Sequence, residues 1–142
     1  MLRAVLDANI IVSSVLSRVG IPPKVMDAWR EMEFALVISP AIVAEVRATL
    51  NYPRIRHKYA IADGDIDALI ELFDLHALWV EGEADVPGSL LADDKDQMFL
   101  AAAVEGRVDL IVSGDHHLLE LGSYAGIPII TVRQFLEQLA IE

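Results

Sequence analysis

The stretch Ala35-Leu36-Val37-Ile38-Ser39-Pro40-Ala41-Ile42-Val43-Ala44-Glu45-Val46 reads as a strand that turns directly into a helix. Its first four residues are apolar on both faces, as in a strand covered from both sides. Ser39 is a typical N-cap residue, and Pro40 suits the first helical position, where its missing N–H costs nothing. The rest of the chain repeats this unit. Arg3–Leu6, Ala77–Val80, Asp109–Ser113 and Pro128–Thr131 are further candidate strands. Pro22–Met32, Pro40–Leu50, Asp65–Leu75, Lys95–Glu105 and Val132–Leu139 carry helical patterns between or after them. Asp65–Leu75 spaces Ile66, Leu69, Ile70 and Phe73 along one stripe, and Gly106 is a natural helix stop. Strand–helix alternation of this kind predicts an α/β fold, a three-layer α/β/α sandwich around a central parallel sheet.

The 142 residues suit a single domain over residues 1–142, and no repeat, low-complexity tract or linker divides them. Hydrophobic residues make up 54% of the chain, enough to build a core without staples. Cysteine is absent, so disulfides and thiolate metal sites are excluded. The N-terminal apolar run is short and broken by Asp7, unlike a signal peptide, and no apolar segment is long enough for a bilayer span. These features predict a cytoplasmic protein without a membrane partner. The net charge of −11 runs against nucleic-acid binding, which draws its affinity from Lys and Arg. The charge is segregated, however. Residues 63–96 hold eleven acids against Lys95 alone, leaving eleven acids against ten bases elsewhere. Arg47, Arg54, Arg56 and Lys58 cluster within twelve residues and form a candidate RNA-binding track.

Ligands of an open parallel sheet gather beyond the carboxyl ends of its strands, where strand order reverses. Asp7 ends the first apolar run, and Asp115 follows Leu110-Ile111-Val112-Ser113-Gly114. Glu45 and Asp96 reach the same edge from early turns of helices. Each acid alone has a plain structural reading, as a loop residue, a helix cap or a solvated face. Four at one edge are harder to explain, because close carboxylates repel unless a cation neutralises them. Oxygen ligands without Cys or a well-placed His select a hard ion, Mg²⁺ or Mn²⁺.

At four points the chain resembles the PIN-domain family. Val5-Leu6-Asp7-Ala8-Asn9-Ile10 looks like its opening strand motif, and Ser39–Val46 is similar to the second motif, whose helix delivers Glu45. Asp93-Asp94-Lys95-Asp96-Gln97-Met98-Phe99-Leu100 resembles the third, and Leu110–Leu119 the fourth. Asn51-Tyr52-Pro53-Arg54 also has a counterpart among PIN proteins described as toxin components of bacterial and archaeal toxin–antitoxin pairs. The resemblance implies a Mg²⁺- or Mn²⁺-dependent endoribonuclease, usually dimeric and often inhibited by an antitoxin peptide. It assigns Asp7, Glu45 and Asp96 as catalytic metal ligands, with Asp115 as the fourth acid acting through water. It also implies that Asn9 orients Asp7 and that Ser113 hydrogen-bonds the acidic cluster. Asp93 or Asp94 shares the metal or caps the helix; Asp96 is favoured because it precedes Phe99-Leu100 by the family interval. Ala8 and Ser113 stand where family members often carry Thr, and only Ser113 keeps the hydroxyl. His116 and His117 are expected at the surface of a helix start.

Other assignments fit less well. A phosphoacceptor receiver needs an acid pair after its first strand, and only Asp7 stands there. A haloacid-dehalogenase-type phosphatase needs a second Asp where Asn9 stands. The non-enzymatic alternative is a degenerate PIN domain that binds RNA or protein without cleavage.

Overall fold

The computed structural model describes residues 1–16, 21–87 and 96–141. Strand β1 (Arg3–Leu6) leads into helices α1 (Ala8–Leu16) and α2 (Ile21–Arg30), then into β2 (Ala35–Ile38). Helices α3 (Pro40–Leu50), α4 (Pro53–Lys58) and α5 (Asp63–His76) follow, before β3 (Leu78–Trp79). The chain continues through α6 (Gln97–Glu105), β4 (Leu110–Val112), α7 (His116–Leu121), β5 (Ser123–Tyr124), β6 (Ile127–Ile130) and α8 (Val132–Ile141).

The sheet order is β3-β2-β1-β4-β6-β5, parallel throughout except for the β5–β6 pair. The chain therefore builds outward from β1 to β3, then crosses back to lay β4 on the other side of β1. That reversal puts the topological switch point between β1 and β4. Ala4, Val5 and Leu6, like Leu110, Ile111 and Val112, are buried at every consecutive position. Side chains alternate between faces along a strand, so helices must cover both sides of the central sheet. Phe34 and Phe135 meet edge to face at 4.9 Å between ring centroids, anchoring α8 beneath the amino end of β2. Gly106 lies so close to Val37 that an added Cβ would come within 2.6 Å of its Cγ1, which explains a glycine at the end of α6.

Local chemistry accounts for the helix starts. Ser39 Oγ accepts the Ile42 N–H at 3.3 Å, capping α3 as its sequence predicts. Asp65 accepts the Ala62 N–H at 2.8 Å, which begins α5 two residues earlier than its apolar stripe alone suggests. Three helices are not announced by amphipathic spacing. Helix α1 buries Ala8, Ile10, Ile11, Val12 and Ser14 and leaves only a narrow face at Asn9, Ser13 and Val15, and α4 and α7 are short pieces of six residues, less than two turns each. The expected final strand stands as β6 and gains an unexpected antiparallel partner, β5, through a tight hairpin. Ala125 and Gly126 both have positive φ, at 52° and 80°, the signature of a type I′ turn. The outermost strand β3 has both residues exposed, unlike the two-faced burial expected of it. The expected helix start at Lys95 lies outside the described residues.

Candidate active site

Asp7 sits where β1 ends and α1 begins. Its backbone N–H still bonds the Val112 carbonyl at 3.1 Å, while its carbonyl accepts the Ile11 N–H. The side chain is 3% exposed, and Oδ1 accepts the Ile10 N–H at 2.9 Å as the N-cap of α1. Oδ2 accepts the Ser113 hydroxyl at 2.5 Å and the Gly114 N–H at 3.2 Å. Ser113, fully buried at the end of β4, also accepts the Asp115 N–H at 2.9 Å through the same Oγ. One hydroxyl thus links the Asp7 carboxylate to the backbone of Asp115. Asp115 in turn caps α7, its Oδ1 accepting the His117 N–H at 2.7 Å.

Burial pushes the Asp7 carboxyl above its ordinary range. Hydrogen bonds from Ser113, Ile10 and Gly114 pull it back in part, and the nearby charge of Asp115 pushes it up further. A buried carboxylate beside a second one is unfavourable in isolation.

Asp96 occupies the N-cap position of α6 and is 7% exposed. Glu45 lies half-buried in the second turn of α3, a helix packed against both α1 and α6. Three of the four acids therefore stand at helix N-termini, whose N–H groups favour anions. Asp93 and Asp94 lie outside the described residues. Asn9 is exposed on the first turn of α1, and the hydrogen bonds on Asp7 come from Ile10, Ser113 and Gly114. Among the described residues, no three of the four acids bring ligand oxygens within 4.8 Å of one another. The donor chemistry nevertheless fits a hard cation. Each carboxylate oxygen offers two lone pairs, so Asp7 Oδ1, with one bond, retains an acceptor site, and so does Asp115 Oδ2.

The basic cluster is placed differently from the acids. Helix α3 starts at the carboxyl edge and runs eleven residues, about 16 Å, before α4 begins. Arg54, Arg56 and Lys58 on α4 are thus a helix length from Ser39. Arg56 is committed to structure. It bonds the Ile61 carbonyl at 3.3 Å and Asn51 Oδ1 at 3.1 Å, and pairs with Asp63 at 2.7 Å. Arg47 and Arg54 are exposed and form no ion pair among the described residues, and Lys58 lies 5.3 Å from the Tyr59 ring. The dense acids of residues 63–74 line the exposed face of α5, outside the switch point.

A family model for the PIN domain matches residues 3–117, a span that contains all four acids. The chain belongs to the PIN-domain family. An uncharacterised protein of Methanocaldococcus jannaschii is 25% identical over 120 residues, covering 84% of this chain and 75% of that protein. The fold is similar to a chain in the crystal structure of VapBC2 from Rickettsia felis bound to a DNA fragment from their promoter. That match has a TM-score of 0.62 at 10% identity and covers 91% of this chain and 98% of the other.

Proposed function

We propose that this PIN domain, spanning residues 1–142 as one unit, is a cytoplasmic Mg²⁺- or Mn²⁺-dependent endoribonuclease and the toxin of a toxin–antitoxin pair. The observation that carries the reading is Asp7, a buried carboxylate raised by burial and by Asp115, at the switch point of a parallel sheet. Asp7, Glu45 and Asp96 would hold the ion, with Asp115 as the fourth acid. A bound ion of this kind supplies a water of lowered pKa and neutralises charge on a phosphate oxygen. The protein's own contribution is positional. Ser113 and the Ile10 and Gly114 N–H groups fix the Asp7 carboxylate, leaving Oδ1 with acceptor capacity. Ser113 also holds the backbone from which Asp115 projects. Asp93 and Asp94 precede Asp96 and would add negative charge at the same helix start.

Calorimetric titration with Mg²⁺ and Mn²⁺ near neutral pH tests the metal. Binding in the millimolar range or tighter, with a rise in Tm, is expected. No binding at all would leave the degenerate-scaffold reading in its place.

The four bases of the proposed RNA track differ in their surroundings. Exposed Arg47, Arg54 and Lys58 are available to phosphates, whereas Arg56 holds α4 against the start of α5. Arg54→Ala should weaken RNA binding and flatten its salt dependence, because each lost phosphate contact releases fewer counterions. Arg56→Ala should instead lower stability by about 1 kcal/mol, since the ion pair is solvent-screened. Filter binding across a salt series, paired with thermal melts, separates the two. Equal effects on binding from both variants would return Arg56 to the track.

Self-association and an inhibitory partner belong to the same reading. Ile10, Ile11, Val12 and Leu118 are internal, while Val15 is exposed and Leu16, Leu119 and Leu121 are partly buried. Exposed apolar side chains gather near the β3 edge, where Met1, Met32 and Leu78 line one depression. A homodimer would cover that face. An antitoxin would insert a basic residue, because an Arg fork satisfies clustered carboxylates.

A further inference from the structure

We propose that His116, His117 and Glu120 form a site for one transition-metal ion of the Zn²⁺ class, separate from the carboxylates of the switch point. Helix α7 places His116 and Glu120 four residues apart on one face, and His116 Nε2 lies 3.4 Å from Glu120 Oε1. Two donors at about 2.0–2.1 Å from a tetrahedral zinc stand about 3.3–3.4 Å apart. The pair is therefore already at ligand spacing. His117 completes a set whose ligand atoms all lie within 4.8 Å of one another, close enough for side-chain rotation to bring the third donor in. The two rings meet edge on, at 88° and 5.2 Å between centroids.

The platform beneath them is fixed. Leu118, between the donors, is fully buried, and the helix is capped by Asp115. A short helix so anchored holds its exposed donors in a limited range of positions. The donors themselves reach solvent, with His116 and Glu120 side chains 67% and 70% exposed, so an ion can enter without opening the core. An exposed i,i+4 pair stabilises a helix only slightly, which leaves the arrangement without a strong structural purpose. Two imidazoles with one carboxylate prefer Zn²⁺, Co²⁺, Ni²⁺ or Cu²⁺ over Mg²⁺, whereas the oxygen-only set at Asp7 has the opposite preference. Three protein donors leave a fourth position for water.

Untagged full-length protein titrated with Zn²⁺ in excess Mg²⁺ tests the site by calorimetry, with histidine ring signals followed by NMR. One Zn²⁺ per chain is expected, shifting the rings of His116 and His117. His116→Ala, His117→Ala and Glu120→Gln should each weaken binding by at least about tenfold. Asp7→Asn should leave Zn²⁺ binding unchanged, so the result does not depend on the nuclease reading. The proposal is overturned if the double variant His116→Ala/His117→Ala binds Zn²⁺ as the parent does. It is equally overturned if Asp7→Asn alone abolishes binding, which would put the ion among the carboxylates, or if the parent binds none.

Discussion

Replacing Asp7 by Asn is expected to reduce divalent-dependent RNA cleavage by more than about 100-fold while the fold survives. Changes to residues that merely orient a metal ligand typically lose 10–100-fold, and loss of the ligand's charge should exceed that. Retention of the fold follows from the hydrogen bonds. Asn is as good an N-cap as Asp, so its amide oxygen can take the Ile10 N–H that Asp7 Oδ1 now accepts. Its NH₂ group then faces Ser113, whose hydroxyl can turn from donor to acceptor. The Gly114 N–H and the Ser113 O–H both lose the Oδ2 acceptor; Gly114 is exposed enough for water to replace it, and the buried hydroxyl costs about 1–3 kcal/mol, less than the whole stability of a fold this size. Single-turnover cleavage of an RNA oligonucleotide in Mg²⁺ or Mn²⁺, with circular dichroism melts alongside, gives both readings. Cleavage by the variant within tenfold of the parent would remove Asp7 from the catalytic set.

The sequence displays the inner sheet clearly because physics there is local. Leu36-Val37-Ile38 and Leu110-Ile111-Val112 are buried on both faces and read as such, and Ser39-Pro40 punctuates the turn into α3. Asp7 and Asp115 are legible for the same reason, since each directly follows or nearly follows a strand end. What escaped has no periodic signal. Helix α1 follows Asp7 directly and exposes only a narrow face at Asn9, Ser13 and Val15, while α4 and α7 are too short to display a stripe. The Ala125-Gly126 turn lacks the Asn or Asp that usually marks positive φ in hairpins. Charge clustering says least about Arg56, which has structural partners of its own. Four bases within twelve residues suggest a phosphate track, but a partner in Asp63 and a carbonyl at Ile61 depend on how α4 meets α5. Conversely, His116 and His117 lie at the surface of a helix start as expected, and Glu120 is exposed beside them. Their donor spacing becomes visible only when α7 is known to be a helix.

The ionisation of Asp7 also sets the sign of a stability effect. Its folded-state pKa is raised above 3.8, mainly by burial, so the folded chain holds this proton where the unfolded chain releases it. Stability from this group is fully present below the unfolded pKa and is lost as pH rises through the folded value. Each unit of upward shift withdraws about 1.4 kcal/mol once the group is ionised. Asn carries no such dependence. In the absence of divalent ions, the Tm of Asp7→Asn relative to the parent should therefore climb from acid towards neutral pH and then level off. For a chain of this size each kcal/mol corresponds to about 3 °C in Tm. Mg²⁺ or Mn²⁺ should reverse the order at neutral pH, because an ion that binds only the folded parent raises its Tm and has less hold on the variant. Scanning calorimetry from pH 4 to pH 8, with chelator and then with divalent ion, measures both legs. A difference that stays flat across pH would show that Asp7 ionises in the fold without penalty. Failure of the ion to reverse it would separate Asp7 from metal binding altogether.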